Sequence, residues 1–132
     1  MIKEIKYKNK VVAIVYRYEG NEDNINFLSS PDNSFQIGIL NHPLGHVIPA
    51  HIHNKIKRTI NETQEMLYVE AGRMKVFFYD KDNKAIAEEI LLPGDLVNLI
   101  SEAHGFEFLE KSRIIYVKQG PYTNKKKDKK IL

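Results

Sequence analysis

Five histidines occur in the 132 residues, and four of them fall between positions 42 and 53. His51 and His53 are the informative pair. On an extended strand, residues i and i+2 point to one face about 6.5 to 7 Å apart, so two imidazoles can converge on one ion while Ile52 turns away. By the same parity Glu65 shares a face with Leu67 and Val69, and His104 with Phe106 and Phe108. A polar group heading an apolar face is costly unless it is paired or bound. Three imidazoles and a carboxylate, with no thiolate, suit a divalent first-row ion such as Fe, Mn, Zn, Ni or Co. If only these four coordinate, an octahedral ion keeps two positions for water, substrate or dioxygen.

Other side chains have two readings each. Lys57 and Arg58 can meet an anionic ligand, arginine gripping a carboxylate or phosphate with two parallel bonds, or they are loop charges in water. Tyr116 and Lys118 share a strand face and can serve a pocket as an acid and a charge anchor, or lie on the surface. With Arg58 they form the candidate catalytic set. His42 and His46 flank Pro43 and Gly45 in a turn-rich stretch that suits surface or structural roles. Phe77, Tyr79, Phe106 and Phe108 read first as core or dimer-packing aromatics and second as substrate walls. No Gly-rich phosphate loop, serine nucleophile elbow or Walker-type motif is present, which argues against nucleotide hydrolysis by those routes.

The elements that must position these groups are strands. No stretch keeps a 3.6-residue apolar period for the ten or more residues a helix needs. Alternating or apolar runs predict strands at 11–16, 24–28, 35–40, 47–53, 66–70, 75–79, 85–91, 96–100, 105–109 and 113–118. Turn-like separators stand between many of them, among them Ser30-Pro31-Asp32-Asn33, Ala71-Gly72, Asp80 to Asn83, and Pro93-Gly94-Asp95. About ten short antiparallel strands mean a sandwich or barrel. The clearest hairpin joins Met66–Glu70 to Lys75–Tyr79, with Gly72 free to take positive φ. Residues 54–64 are polar and basic, and predict a loop at the mouth of the barrel.

The run Gly45-His46-Val47-Ile48-Pro49-Ala50-His51-Ile52-His53, followed by Glu65 to Gly72, resembles the first motif of the cupin superfamily, G(x)5HxH(x)3–4E(x)6G. Both glycine spacings fit. Eleven residues separate His53 from Glu65 where the family has three or four, so Gln64 and Glu62 stand as alternatives to Glu65. The second motif, G(x)5PxG(x)2H(x)3N, is met in part: Gly94 is in place, Ile100 and Glu102 replace Pro and Gly, His104 comes one residue early, and Phe108 replaces Asn. His104 is the only histidine after Gly94, which makes it the third imidazole. The chain also resembles small stand-alone bacterial cupins that end in Lys-Gln-Gly-Pro-Tyr, here Lys118 to Tyr122, a group with no settled activity. The resemblance implies an all-β double-stranded β-helix, the cupin or jelly-roll barrel, over residues 35–120. It also implies a metal held by His51, His53, Glu65 and His104, and a homodimer paired through edge strands and the residues before Leu40.

Composition bounds the rest. One compact domain is expected from this length, with residues 1–34 as strands packing on the barrel or on a dimer partner. There are no cysteines, which removes disulfides, thiolate zinc sites, iron–sulfur clusters and cysteine nucleophiles. The net charge of +3 comes from the end of the chain: residues 121–132 hold five lysines and one aspartate, leaving 15 basic and 16 acidic residues elsewhere. A lysine run without arginine or aromatic residues interleaved predicts a solvated, disordered tail, with no nucleic-acid partner. No apolar run of about 18 residues and no export signal are seen, so a cytoplasmic protein without membrane contact is expected. Three functions follow: a metal-dependent isomerase or oxygenase on a small organic or carbohydrate molecule, a metal-free sugar-nucleotide isomerase or epimerase using His53 or His104 with Tyr116, and a non-catalytic ligand-binding module.

Overall fold

A computed structural model describes residues 1–20 and 27–132. The described residues are all-β apart from one helical turn, α1 (Lys125–Asp128). Eight strands follow in order: β1 (Ile2–Tyr7), β2 (Lys10–Tyr16), β3 (Glu65–Ala71), β4 (Met74–Tyr79), β5 (Ala85–Leu91), β6 (Leu96–Leu99), β7 (Ala103–Phe108) and β8 (Arg113–Lys118). They form a five-stranded sheet, β1-β2-β6-β3-β8, and a three-stranded sheet, β5-β4-β7, with every pairing antiparallel. The two sheets do not close on each other.

Alternation explains the core. Val15, Leu67, Val69, Val97 and Leu99 of the larger sheet meet Met74, Val76, Phe78 and Leu91 of the smaller one, all buried. A second cluster lies on the outer face of the larger sheet, where Leu28, Ile37 and Ile39 cover Tyr16, Leu96, Met66 and Tyr68. Turn chemistry sets the registers. Lys8 and Asn9 both have positive φ, the pattern of a two-residue type I′ hairpin between β1 and β2. At the β3–β4 reversal Gly72 has φ of 86°, and a Cβ there would sit 2.5 Å from the Lys111 carbonyl, so only glycine fits.

Three differences from the expected strands have physical causes. β1 was not expected, because its lysines hide a run that alternates only weakly; pairing with β2 forms it. Residues 2–7 and 10–16 are consequently strands of the larger sheet. Residues 35–40 and 47–53 form no strand. The first uses Ile37 and Ile39 as a cover, tied by the Leu28 amide to the Ile37 carbonyl at 2.6 Å. The second contains Pro49, which donates no main-chain hydrogen bond, and among the described residues it pairs with no strand. Of the expected strand at 24–28, residues 24–26 lie outside the described residues.

Candidate functional site

The site is built at one end of the sandwich from three strands. Glu65 opens β3, where it lies opposite Leu99 of β6 and Lys118 of β8. Residues directly opposite in a ladder share a face, so Glu65 and Lys118 point inward with the buried Leu67 and Val69. His104 of β7 lies opposite the buried Phe78, which turns its ring inward too. Tyr116 of β8, opposite Leu67, completes the group.

These side chains meet. Tyr116 donates its hydroxyl proton to Glu65 Oε1 at 2.8 Å, and His104 Nε2 lies 3.1 Å from Glu65 Oε2. The Glu65 side chain is only 14% exposed. Burial works to raise its pKa, but the hydrogen bonds from His104 and Tyr116, with the nearness of His104 and the charge of Lys118, outweigh it and hold the carboxyl below its ordinary range. The same contact acts in the opposite sense on the phenol. Burial first, then the bond to Glu65 and its charge, push Tyr116 well above the usual tyrosine range, so the hydroxyl keeps its proton. A charged carboxylate also selects the Nε2–H form of a neutral His104 ring, which leaves the lone pair on Nδ1.

The group opens on a cleft of about 990 Å³. Leu67, Tyr79, Phe106, Phe108 and Ile114 give it apolar walls, and Glu65, His104 and Tyr116 line it as the polar set. Phe106 and Phe108, like Tyr79, thus line the cleft. The tail returns here as well: residues 128–132 border the cleft, and Asp128 pairs with Lys118, which also lies over the Tyr122 ring. Sequence reasoning missed Asp128, because nothing in a lysine-rich run marks its one acid as a strand partner.

Of the four expected metal ligands, the structure joins Glu65 and His104 and leaves His51 and His53 apart. Those two lie on an exposed extended segment, their rings 5.2 Å from each other. Arg58 is on the same segment and exposed. Of the alternatives to Glu65, Glu62 pairs with Lys10, and Gln64 is buried, its main-chain carbonyl accepting from the Gln119 amide while its side-chain Oε1 has no partner among the described residues. Among the described residues no group of three or more His, Asp or Glu stands where it could hold an ion. Two donors within one chain do not make the four-ligand site. No helix among the described residues is long and apolar enough to cross a membrane. No family model, curated protein or solved structure matches the chain.

Proposed function

We propose that this chain is a small-molecule enzyme of cupin type, an isomerase that moves a proton on a carbohydrate-like substrate held in the cleft. The observation that carries the reading is the Glu65–His104 pair, a carboxylate bonded to an imidazole at the head of an apolar face. In the neutral ring Nδ1 takes a proton from the carbon next to a substrate carbonyl. The imidazolium that forms is stabilised by Glu65 on its other nitrogen and returns the proton to the former carbonyl carbon, while the hydroxyl proton of the enediolate passes to the former carbonyl oxygen. His104 and Tyr116 hold Glu65 in place and favour its ionised form through their hydrogen bonds, and the Lys118 charge opposite adds to this. The reaction needs no oxidant.

The test is solvent deuterium entering ketose and aldose substrates, followed by mass spectrometry. Incorporation by the native chain, lost in His104→Ala, supports the isomerase. Ligands that raise the melting temperature without any exchange would instead mark a binding module. A second reading is a divalent metal held by His51, His53, Glu65 and His104. It is favoured by the adjacency of the two imidazoles on their segment, and it requires that this segment reach a cleft.

A further inference from the structure

The end of the chain borders the candidate cleft, and a single side chain seats it there. Beyond β8 the Gln119 amide bonds the Gln64 carbonyl at 3.0 Å, which roots the tail on the larger sheet. Of residues 121–124 and 127–132, Asp128 alone is not exposed. Ile131 borders the cleft yet is 76% exposed, so apolar burial does not hold the tail. Asn124 turns the backbone back: its side-chain oxygen accepts from the Lys127 amide at 3.0 Å and its carbonyl from the Asp128 amide at 3.0 Å. The carboxylate so presented pairs with Lys118, the two side chains being 13% and 19% exposed. The same ammonium lies 5.6 Å from the centre of the Tyr122 ring.

A largely buried ammonium is costly without a counter-ion, and in this chain the counter-ion sits on a tether. Asp128 borders the cleft whereas Lys118 does not, so the carboxylate stands where a ligand in the cleft would meet the cation. We infer that the substrate of this cleft is a sugar acid, whose carboxylate takes the seat of the Asp128 carboxylate on Lys118 and displaces the tail. Position agrees. Lys118 lies opposite Glu65 and two residues from Tyr116 on one face of β8, about 7 Å along the strand. A six-carbon chain spans that length, with its carbonyl at His104 and its acid at Lys118. Charge selects a carboxylate over a phosphate: Lys118 is one positive charge, and the neighbouring Glu65 carboxylate repels a dianion more than a monoanion. Lys81, Lys129 and Lys130 also border the cleft, but each is exposed to water, where an ion pair is worth little. The tail is thereby an internal competitor, lowering apparent affinity by the fraction of time it is seated. The sugar rests on the isomerase reading given above, whereas the carboxylate seat rests on Lys118 and Asp128.

The experiment uses the full chain, which has no cysteine of its own, carrying a fluorophore on I131C. The probes are glucuronate, its neutral counterpart glucose, and glucose 6-phosphate. Glucuronate is expected to release the tail saturably, read as a fall in the anisotropy of the label, while glucose at equal concentration leaves it seated. D128N is expected to show a loose tail without ligand and, in calorimetry on unlabelled protein, to bind glucuronate about tenfold more tightly than the native chain. K118M is expected to lose about tenfold or more in affinity for glucuronate and nothing for glucose. A tail that glucuronate does not move, equal glucuronate affinity in the native chain and D128N, or tighter binding of the sugar phosphate overturns the assignment. Deuterium exchange then separates the two ideas. Exchange as fast with glucose as with glucuronate, in the native chain and D128N alike, keeps the isomerase and removes the carboxylate seat. Carboxylate-dependent release without exchange keeps the seat and removes the isomerase.

Discussion

The two ends of β6 handle charge in opposite ways. At the Asp95 end, ions are closed off by the protein itself. Asp95 accepts from the Tyr18 amide at 3.1 Å, the Leu92 amide at 2.9 Å and Arg17 Nη1 at 3.1 Å. Arg17 also bonds Glu89 at 2.6 Å and the Ile90 carbonyl at 2.7 Å, and Lys3 pairs with Glu89 from β1. Both sheets are thereby tied together, and Asp95 and Glu89 are buried. At the Glu65 end the carboxylate is bonded by His104 and Tyr116, two side chains that themselves line an open cleft. Complete enclosure by backbone amides marks a structural ion; a group whose partners face open space is poised for a ligand.

Four measurements would break or sharpen that contrast. Asp95→Ala strands Arg17 and removes the acceptor for two amides, so it should cost about 3 to 5 kcal/mol in urea unfolding. A cost under about 1 kcal/mol would mean that this end does not hold the sheets together. His104→Ala should leave stability within about 1 kcal/mol of native but lower deuterium exchange by about 10²- to 10⁴-fold. Tyr116→Phe, which takes one bond from Glu65 and leaves His104 in place, should slow exchange about tenfold, in line with the net worth of about 1.5 kcal/mol for a bond to a charged group.

The smallest effect is on stability against pH. Glu65 titrates below its ordinary 4.5 in the fold, so its contribution is complete above that value and is lost as the pH falls through the lowered pKa. Tyr116 is raised above 10.0, so its contribution is complete below that value and is lost as the pH rises towards the raised pKa. Acid melts of Glu65→Gln and alkaline melts of Tyr116→Phe should each be flatter than those of the native chain. Equal slopes in variant and native would deny the contact its electrostatic role.

What could be read in advance followed what is local. Alternation and turn residues placed β2 to β8 within a few positions, because each strand carries its own period and its own stop. Parity put Glu65 and His104 on faces with apolar residues and put Tyr116 and Lys118 on one shared face, pocket or surface left open; the structure brings all four to one end. Pairing is not local. Residues 47–53 alternate as a strand does but find no neighbour among the described residues, and the lysines of β1 masked a strand that its neighbour creates. The Arg17, Glu89 and Asp95 cluster left no trace in the sequence, since its members are far apart and each looks like an ordinary surface charge.

The tie between Arg17, Glu89 and Asp95 has a consequence for how such a chain can change. Because cohesion of the sheets is anchored at the far pole, the walls around His104 can be re-carved with little penalty in folding. Substitutions at Tyr79, Phe106 and Phe108 become a route to retargeting. Evolvability at one pole is a dividend of rigidity at the other.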